Sequence, residues 1–392
     1  MDAKEYKKSN KKKARKKRLS KNKYYYIFVI AIIIIVVAVL FISNGFSFDF
    51  SDKKDKNNVG VETTVDELQN LTIKFLDVGQ GDCIFITFPD GKNMLIDAGE
   101  NKENRAVIDK YLTKGNKKVT LDYCVATHPD SDHIDNMPYV YEQYEILRSY
   151  RPYLKSTSDR VSSLTDEFNK GVIIDSKSKT NIYADYLNSV YNEKCEWEFF
   201  SDSSDFTNSV NVKNGGTYKY TVDFMMPYIE DLNSFNDLKQ ANNLSAIIMI
   251  EYGGKKVLLT GDAEKKVEKL FVEKADAKLA DCDILKLGHH GSNTSSTIDF
   301  LNFVKPENVV ISCGVSNKYH HPNKETIDNV ITCKSDVYRT DIQGTITITI
   351  DSSGNIVFNK EYDDFDEEML FFDGDEIKEQ ATKINAVKQK AA

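Results

Sequence analysis

The stretch Thr127-His128-Pro129-Asp130-Ser131-Asp132-His133 decides the fold, because it places four side chains with metal-ligand chemistry within six residues. It directly follows residues 121–126, an apolar run that predicts a buried strand. A turn at the end of a strand lets neighbouring side chains converge. We therefore predict that His128 and Asp130 face one divalent ion, and that Asp132 and His133 face a second.

The remaining histidines support a single shared site. The chain has six histidines, and the other four occur as the pairs His289-His290 and His320-His321. The first pair follows the apolar run 284–287, just as the opening stretch follows its own strand. Two further predicted strands end in a carboxylate, at Asp97 and at Asp262. Side chains at several strand ends predict a metal site at one edge of a sheet.

The apolar pattern from residue 71 onward predicts a layered α/β domain. Residues 71–76, 83–88, 93–96 and 121–126 predict strands, and residues 103–114 predict a helix. A second series follows, in which residues 245–252 and 256–260 form a hairpin across Gly253-Gly254, and later helices alternate with strands. Two series of strands with interspersed helices are typical of layered α/β folds.

The domain limits follow from changes in composition. We assign residues 71–360 to the α/β domain, with an insertion at about 150–240 that is rich in Ser, Asn, Asp and Tyr. Residues 47–70 are polar and predict a stalk. Residues 361–392 begin acidic and become helix-prone, so we expect a solvated extension.

The N-terminal part of the chain predicts a membrane anchor. The net charge of −8 combines +10 in residues 1–23, where twelve Lys and Arg outweigh Asp2 and Glu5, with −18 in the rest. Residues 24–46 form an uncharged apolar run, which is long enough for a transmembrane helix. The basic residues before it predict a cytoplasmic N-terminus and an extracellular domain. A cleavable signal peptide is the alternative, but no small-residue cleavage site follows Ile42.

The six cysteines exclude several classes of site. None has C-x-x-C spacing, which excludes zinc fingers and thioredoxin-type redox motifs. Cys83, Cys124, Cys282 and Cys313 lie in apolar runs and are expected to be buried free thiols. A bridge between Cys313 and Cys333 remains an alternative.

Five motifs in this order resemble the metallo-β-lactamase superfamily. They are Phe75-Leu76-Asp77-Val78-Gly79-Gln80-Gly81-Asp82, Leu95-Ile96-Asp97-Ala98-Gly99, the opening stretch, Leu259-Thr260-Gly261-Asp262 and Gly288-His289-His290-Gly291-Ser292. Within the superfamily they are most similar to the soluble hydrolase domain of the ComEC competence family. Asn317-Lys318-Tyr319-His320-His321-Pro322 and Tyr338-Arg339-Thr340-Asp341 extend the similarity. The resemblance implies an αββα sandwich with a two-metal site at one edge.

The resemblance also implies the roles of individual residues. The implied metal ligands are His128, Asp130, Asp132, His133, Asp262 and His289, with Asp262 bridging the two ions. His289 is preferred over His290 because it is the first histidine past the strand, although both are kept. The implied catalytic residues are Asp132, Asp262 and His290. Asp97 would orient a ligand or bound water, and Asp77 and Asp82 would line the site. The candidate substrate contacts are His290, Ser292, Asn293 and His321, and for the last three, loop hydrogen bonds or a helix cap are equally good interpretations.

Two departures from the broad superfamily pattern bear on function. Asp130 stands where a second histidine is usual, and the chain has no histidine between His133 and His289. Asn242-Asn243-Leu244-Ser245 occupies that region, again as in ComEC-like proteins. The first metal position is therefore rich in oxygen ligands, so Mn²⁺ competes with Zn²⁺ and the first ion is held weakly.

These features predict a membrane-anchored, extracellular phosphodiesterase or nuclease that uses a hydroxide bridging two divalent ions. DNA is the expected substrate, and protein partners are not indicated. One alternative is a cell-surface phosphoesterase of the phosphorylcholine-esterase type. The other is a non-catalytic accessory protein of a DNA-uptake or surface complex, in which the metal serves structure alone.

Overall fold

A computed structural model of the chain describes residues 69–391 apart from 116, 175–176, 202–203, 212–216, 226–239 and 275–279. The basic arm, the predicted span at 24–46 and nearly all of the stalk lie outside the described residues. Within the described part, no helix combines the length and the apolar character needed to cross a membrane.

The strands follow the two predicted series closely. In chain order they are β1 Leu71–Phe75, β2 Ile84–Thr87, β3 Asn93–Ile96, β4 Thr113–Lys114, β5 Lys117–Lys118, β6 Leu121–Val125, β7 Ile146–Arg151, β8 Glu196–Phe199, β9 Phe206–Asn211, β10 Thr217–Phe224, β11 Ile248–Tyr252, β12 Lys255–Leu259, β13 Ile284–Lys286, β14 Asn308–Ile311, β15 Asp336–Arg339, β16 Ile346–Ile350 and β17 Ile356–Lys360. One sheet has the order β17-β16-β1-β2-β3-β6-β7-β8, and a second has the order β15-β14-β13-β12-β11-β10-β9.

Helices cover the outer faces of both sheets. They are α1 Arg105–Tyr111, α2 Ser131–Ile134, α3 Met137–Gln143, α4 Lys177–Glu193, α5 Lys265–Lys274, α6 Ile298–Val304, α7 Lys324–Cys333, α8 Thr340–Gln343 and α9 Gly374–Ala391. Neighbouring strand residues alternate between two cores, since side chains point to opposite faces of a strand. In β12, Val257 and Leu259 join residues of both sheets in the core between them, whereas Leu258 joins the core shared with helices such as α5. The predicted αββα sandwich is confirmed.

Parallel pairs of strands fix the position of the site. Strand β3 pairs in parallel with β6, and β12 pairs in parallel with β13. The carboxyl ends of each pair therefore point to the same edge of its sheet, where α/β proteins place their ligand sites. The motifs that follow these four strands meet there.

The segment 150–240 is built into both sheets. It supplies β8, the outermost strand of the first sheet, and β9 and β10, which extend the second sheet. It also supplies α4, which packs against α2 and α3 near the opening histidine stretch. The segment predicted as an insertion thus completes both sheets and reaches the neighbourhood of the site.

The structure shortens one predicted helix and shows the state of the cysteines. The helix predicted at 103–114 ends at Tyr111, because the chain turns at Gly115 and pairs Thr113–Lys114 with Lys117–Lys118. The cysteines are all free thiols, so no Cys313–Cys333 bridge is present, and the four in apolar runs are buried as predicted.

The C-terminal segment is not a solvated extension, contrary to our expectation. Helix α9 buries Ile377 and Ile384 against Ile342 and Met369. Lys388 in its last turn forms an ion pair with Asp77, with 2.5 Å between Nζ and Oδ2. Helix α9 packs because its apolar residues lie on one face of the helix. The acidic residues at the start of the segment had instead suggested exposure to solvent.

Replacing a buried residue of α9 is expected to destabilise the whole domain. We expect Ile377→Ala to lower the free energy of unfolding by about 2 kcal/mol, because the side chain is 1% exposed and its loss leaves a cavity. Urea unfolding followed by circular dichroism measures the loss. The exposed neighbour Lys378 provides the control, since Lys378→Ala should change stability by less than about 0.5 kcal/mol. Equal stability of the two variants would mean that α9 does not pack as described.

Candidate metal centre

Strand ends bring the predicted side chains together. Asp97 follows β3, His128 follows β6, Asp262 follows β12 and His290 follows β13. Backbone hydrogen bonds connect the loops, including one from the amide of His289 to the carbonyl of Gly261 at 3.1 Å. The centre is therefore built from both sheets, which explains why its residues are far apart in the chain.

Four buried side chains form the most compact group of possible ligands among the described residues. These are Asp82, His133, Asp262 and His290, and their ligand atoms all lie within 4.8 Å of one another. Asp82 was predicted only to line the site. It enters the group because the loop after β1 folds tightly over the opening stretch. A Cβ on Gly81 would lie 2.1 Å from the carbonyl oxygen of Asp132, so only glycine fits there.

Four imidazoles direct their Nε2 atoms toward the carboxylate of Asp262. The distances from Nε2 to a carboxylate oxygen of Asp262 are 3.2 Å for His133, 3.4 Å for His290, 3.6 Å for His289 and 3.8 Å for His128. Asp262 is 1% exposed, so these contacts form away from solvent. A carboxylate surrounded by four Nε2 atoms is the arrangement expected around a bound cation.

The other ring nitrogen of each histidine is held by the protein. His133 Nδ1 lies 2.6 Å from Asp97 Oδ2, and His290 Nδ1 lies 2.8 Å from the carbonyl oxygen of Ser312. His289 Nδ1 lies 2.9 Å from Thr294 Oγ1, and His128 Nδ1 lies 3.1 Å from Thr127 Oγ1. Acceptors at Nδ1 fix the ring orientation and, for His133 and His290, leave Nε2 as the metal-facing atom.

Asp97, predicted to orient a ligand or bound water, forms several buried hydrogen bonds in the centre. Besides His133, its carboxylate accepts hydrogen bonds from the amide of Thr127 at 2.8 Å and from the Thr127 hydroxyl at 2.6 Å. Thr127 in turn contacts His128, so one buried carboxylate positions both histidines of the opening stretch. Thr127 was missed by sequence reasoning, although it begins that stretch.

The backbone at His289 and His290 places both rings at the site. The φ angles are 49° and 54°, so two successive non-glycine residues adopt the left-handed conformation. Such residues are strained and concentrate at functional sites. The sharp turn buries His290 completely and leaves the side chain of His289 21% exposed. The sequence preferred His289 as the ligand, whereas the structure places His290 nearer to Asp262.

A buried lysine lies beside the acidic ligands. Lys286 in β13 is fully buried, and its Nζ lies 2.6 Å from Asp82 Oδ2, 3.7 Å from Asp262 Oδ1 and 3.0 Å from the Gly261 carbonyl oxygen. Burial alone would lower the pKa of Lys286, but Asp82 and Asp262 outweigh it and raise the pKa above 10.5. Sequence reasoning missed this residue, although a lysine within the apolar run Ile284-Leu285-Lys286-Leu287 was a usable signal.

Asp132 and Asp130 occupy different surroundings. Asp132 Oδ2 lies 3.4 Å from His290 Nε2 and so faces the compact group. Asp130 Oδ2 instead forms an ion pair with Lys179 of α4, at 2.6 Å from Nζ. The two carboxylates of the opening stretch are thus directed to separate partners.

Three of the remaining predicted residues have partners outside the compact group. Asp77 does not line the centre but pairs with Lys388, because it lies on the side of its loop that faces α9. Ser292 bonds to Thr294, and the exposed Asn293 donates its backbone amide to Asn323, which matches their interpretation as loop residues.

His321 lies beside the centre, whereas its neighbour His320 points away from it. The His321 ring centroid is 5.4 Å from that of His289, and its Nδ1 is buried without a hydrogen-bond partner. His320 is exposed and contacts Asp375.

The electrostatics divide the histidines into two groups. Burial lowers the pKa of His128 and of His289, and it lowers that of His321 to about 3, so these rings are neutral. Burial also opposes protonation of His133 and His290, but Asp262 outweighs it, so the pKa of His133 rises and that of His290 rises to about 9. The same contacts hold the pKa of Asp262 well below its usual range despite burial. Without metal, two protonated histidines therefore balance the acidic centre.

The metal-free protein is expected to lose stability as the pH rises. The pKa of His290 is about 9 in the folded protein and 6.5 in the unfolded chain. Its contribution to the free energy of unfolding is therefore complete below pH 6.5 and is lost as the pH rises through 9. We expect the free energy of unfolding to fall by up to about 3 kcal/mol across this window. Urea unfolding in EDTA at several pH values measures it, and His290→Gln should flatten the profile. A parent profile that is already flat would contradict the assignment.

Unpartnered polar atoms indicate that the centre suits a cation. His128 Nε2, Asp82 Oδ1 and Asp130 Oδ1 are buried and have no hydrogen-bond partner. Buried polar atoms without partners are costly, and a bound cation would satisfy these acceptors. Nitrogen and carboxylate oxygen donors of this kind fit divalent Zn²⁺ or Mn²⁺.

Comparisons with known proteins agree with this architecture. Residues 76–160 match the family model of the metallo-beta-lactamase superfamily. The chain is 27% identical over 297 residues to ComE operon protein 3 of Bacillus subtilis (strain 168), covering 70% of this chain and 32% of that protein. It is 38% identical over 113 residues to competence protein ComA of Neisseria gonorrhoeae, covering 29% of this chain and 16% of that protein.

A third relative is recombination protein 2 of Haemophilus influenzae (strain ATCC 51907 / DSM 11121 / KW20 / Rd), which is 34% identical over 122 residues. That match covers 31% of this chain and 15% of the relative, so the chain spans a third or less of each of these three proteins. The family match includes the loop of Asp82, Asp97 and the opening stretch, which together hold half of the compact group. The chain therefore carries a region, residues 76–160, that matches the metallo-β-lactamase superfamily, and it is similar to the ComEC family of competence proteins.

Proposed function

We propose that the chain is a metal-dependent phosphodiesterase and that its substrate is DNA. The observation that carries the proposal is the convergence of four Nε2 atoms on Asp262, next to the buried carboxylate of Asp82 and the partly exposed carboxylate of Asp132. The names of two relatives, a competence protein and a recombination protein, support a nucleic acid as substrate. The oxygen-rich opening stretch, with Asp130 in place of a histidine, favours phosphoester over lactam chemistry.

The proposed ligands divide between the two positions that the sequence predicted. Asp132, His133 and His290 would hold one ion together with Asp262, and His128 and Asp130 would contribute to the other. A bound divalent ion supplies a nucleophilic water at neutral pH and neutralises charge on the phosphate. Zinc or manganese as the bound ion, and an ion at each of the two positions, stay predictions.

The chain's own residues have roles around this centre. Asp97 and the Ser312 carbonyl hold the rings of His133 and His290 in place. Lys286 pairs with Asp82 and holds its carboxylate in place at the centre. His321 is neutral, its ring lies beside His289 and its Nδ1 has no partner, so we propose that it donates a hydrogen bond to a phosphate oxygen. Together these groups orient the substrate before reaction.

A substrate panel tests the proposal. The full chain, purified in detergent, is incubated with single-stranded DNA, bis-p-nitrophenyl phosphate and p-nitrophenyl phosphorylcholine, each with Mn²⁺ or Zn²⁺. We expect cleavage of the first two substrates. Cleavage of the phosphorylcholine ester alone would favour a cell-surface phosphoesterase, and three intact substrates would favour the non-catalytic accessory protein.

We also propose that residues 24–46 anchor the domain in the cell membrane, with residues 1–23 in the cytoplasm. Residues 24–48 carry no charge and follow the twelve basic residues, which supports this orientation. Protease added to intact cells should then digest the domain but leave an N-terminal tag protected. Protection of the domain under the same conditions would contradict an extracellular location.

A further inference from the structure

Asp130, a predicted ligand of the first metal ion, pairs with a cation that belongs to the protein. Lys179, near the start of α4, places its Nζ 2.6 Å from Asp130 Oδ2, and its side chain is 33% exposed. Asp130 immediately precedes α2, against which α4 packs, so the contact joins two packed elements. The segment 150–240, to which the sequence assigned no role, therefore supplies a charged group to the candidate centre.

Few side chains are available as ligands at the first metal position. His128 and Asp130 are its own residues, and Asp262 is shared with the compact group. The chain has no histidine between His133 and His289 that could complete it. Asn243 lies in that region, but its side-chain oxygen accepts a hydrogen bond from the Glu264 amide at 3.2 Å. The position keeps His128 Nε2 and the second oxygen of Asp130, Oδ1, as unpartnered donors, which is fewer than the group around His290 offers.

The two positions also differ in compactness. Neither His128 nor Asp130 belongs to the four-residue group whose ligand atoms lie within 4.8 Å of one another. His128 Nε2 is the most distant of the four imidazole nitrogens from Asp262, at 3.8 Å. The Lys179 ammonium group pairs with Asp130 Oδ2, one of the few donors that a second divalent ion could use, and two cations that share one carboxylate repel each other.

We propose that Lys179 takes the place of the first metal ion, so that the chain binds one divalent ion, at the group of Asp132, His133, Asp262 and His290. The ammonium group balances the charge of Asp130 whatever the metal concentration, which a weakly held ion would do only at high metal concentration. The inference rests on the proposed metal-dependent function, and it changes the expected number of ions from two to one.

Metal counting tests this inference without using activity. The full chain in detergent is titrated with MnCl₂ and with ZnCl₂ in a calorimeter, and retained metal is measured by atomic emission after gel filtration. We expect one ion per chain in the parent and two in Lys179→Gln, which frees Asp130 to act as a ligand beside His128. Lys179→Arg keeps the charge and should remain at one ion. Lys170→Gln is the matched control, since Lys170 pairs with Glu167 at an exposed position of the same segment.

The possible outcomes separate this inference from the proposed function. Two ions in the parent, or one ion in both the parent and Lys179→Gln, overturn the role of Lys179. If Lys179→Gln falls from two ions to one, Lys179 instead orients Asp130 as a ligand. A parent that binds no ion overturns the metal-dependent function as well. Asp130→Asn gives an independent answer if Lys179→Gln fails to fold: one retained ion supports the inference, and loss of an ion contradicts it.

Discussion

Asp262→Asn is expected to remove both metal binding and hydrolysis. The carboxylate faces the Nε2 atoms of four histidines at 3.2 to 3.8 Å, so it contacts every histidine among the candidate ligands. The amide keeps the shape of the side chain but removes the charge and one of the two acceptor oxygens. Loss of a group that only orients a ligand costs about 10- to 100-fold in activity, so we expect at least a 100-fold loss here.

The measurement combines metal content with the rate on bis-p-nitrophenyl phosphate. Asp328→Asn is the matched control, because Asp328 is an exposed helix residue paired with Lys324. It should retain its metal and its rate. If Asp262→Asn retains both as well, the centre has been assigned to the wrong residues.

Lys286→Met is expected to cause the largest loss of stability. The substitution preserves the length of the side chain but leaves Asp82 as a buried carboxylate without its ammonium partner, and it leaves the Gly261 carbonyl without its donor. Removing one partner of a buried ion pair costs about 3–5 kcal/mol. We expect a loss of this size in EDTA, and a smaller loss in saturating Mn²⁺, because the ion balances the carboxylates.

Lys255→Met tests whether the loss of stability in Lys286→Met comes from the burial of the ion pair rather than from the pairing itself. Lys255 contacts Asp283 at 2.6 Å, the same distance as in the buried pair, but its side chain is 29% exposed. An exposed pair contributes about 0–1 kcal/mol, so this variant should remain close to the parent in urea unfolding. Similar losses in the two variants would mean that Lys286 is not buried beside Asp82.

The strands that carry the centre were predictable because each is a short apolar run followed by a polar motif. The strand Asn93–Ile96 matches its prediction, and Leu121–Val125 differs by one residue at its end. An apolar run indicates that both faces of a strand are buried, and neighbouring residues alone are enough to recognise it. The meeting of Asp97, His128 and Asp262 at one edge followed from the parallel pairing of their strands.

The missed features depend on contacts between distant parts of the chain. Lys286 is buried because Asp82, about 200 residues earlier, neutralises it, and no local pattern records such a pairing. Lys179 reaches Asp130 from a segment without a clear apolar period. The preference for His289 over His290 assumed a regular strand end, whereas the backbone there turns through the left-handed region. Local patterns thus identify elements well and their tertiary partners poorly.

The pairing of β1 with β16 has a consequence for the order of folding. The first strand of the domain lies between β2 and β16, and β16 is the second-to-last strand in the chain. During synthesis from the N-terminus, β1 can pair with β2 early, but its other edge stays open until residues 346–350 emerge. An open strand edge is a site for pairing with other chains, and pairings between distant segments form slowly. The nascent domain therefore passes through a long aggregation-prone interval that ends only when its last two strands are made.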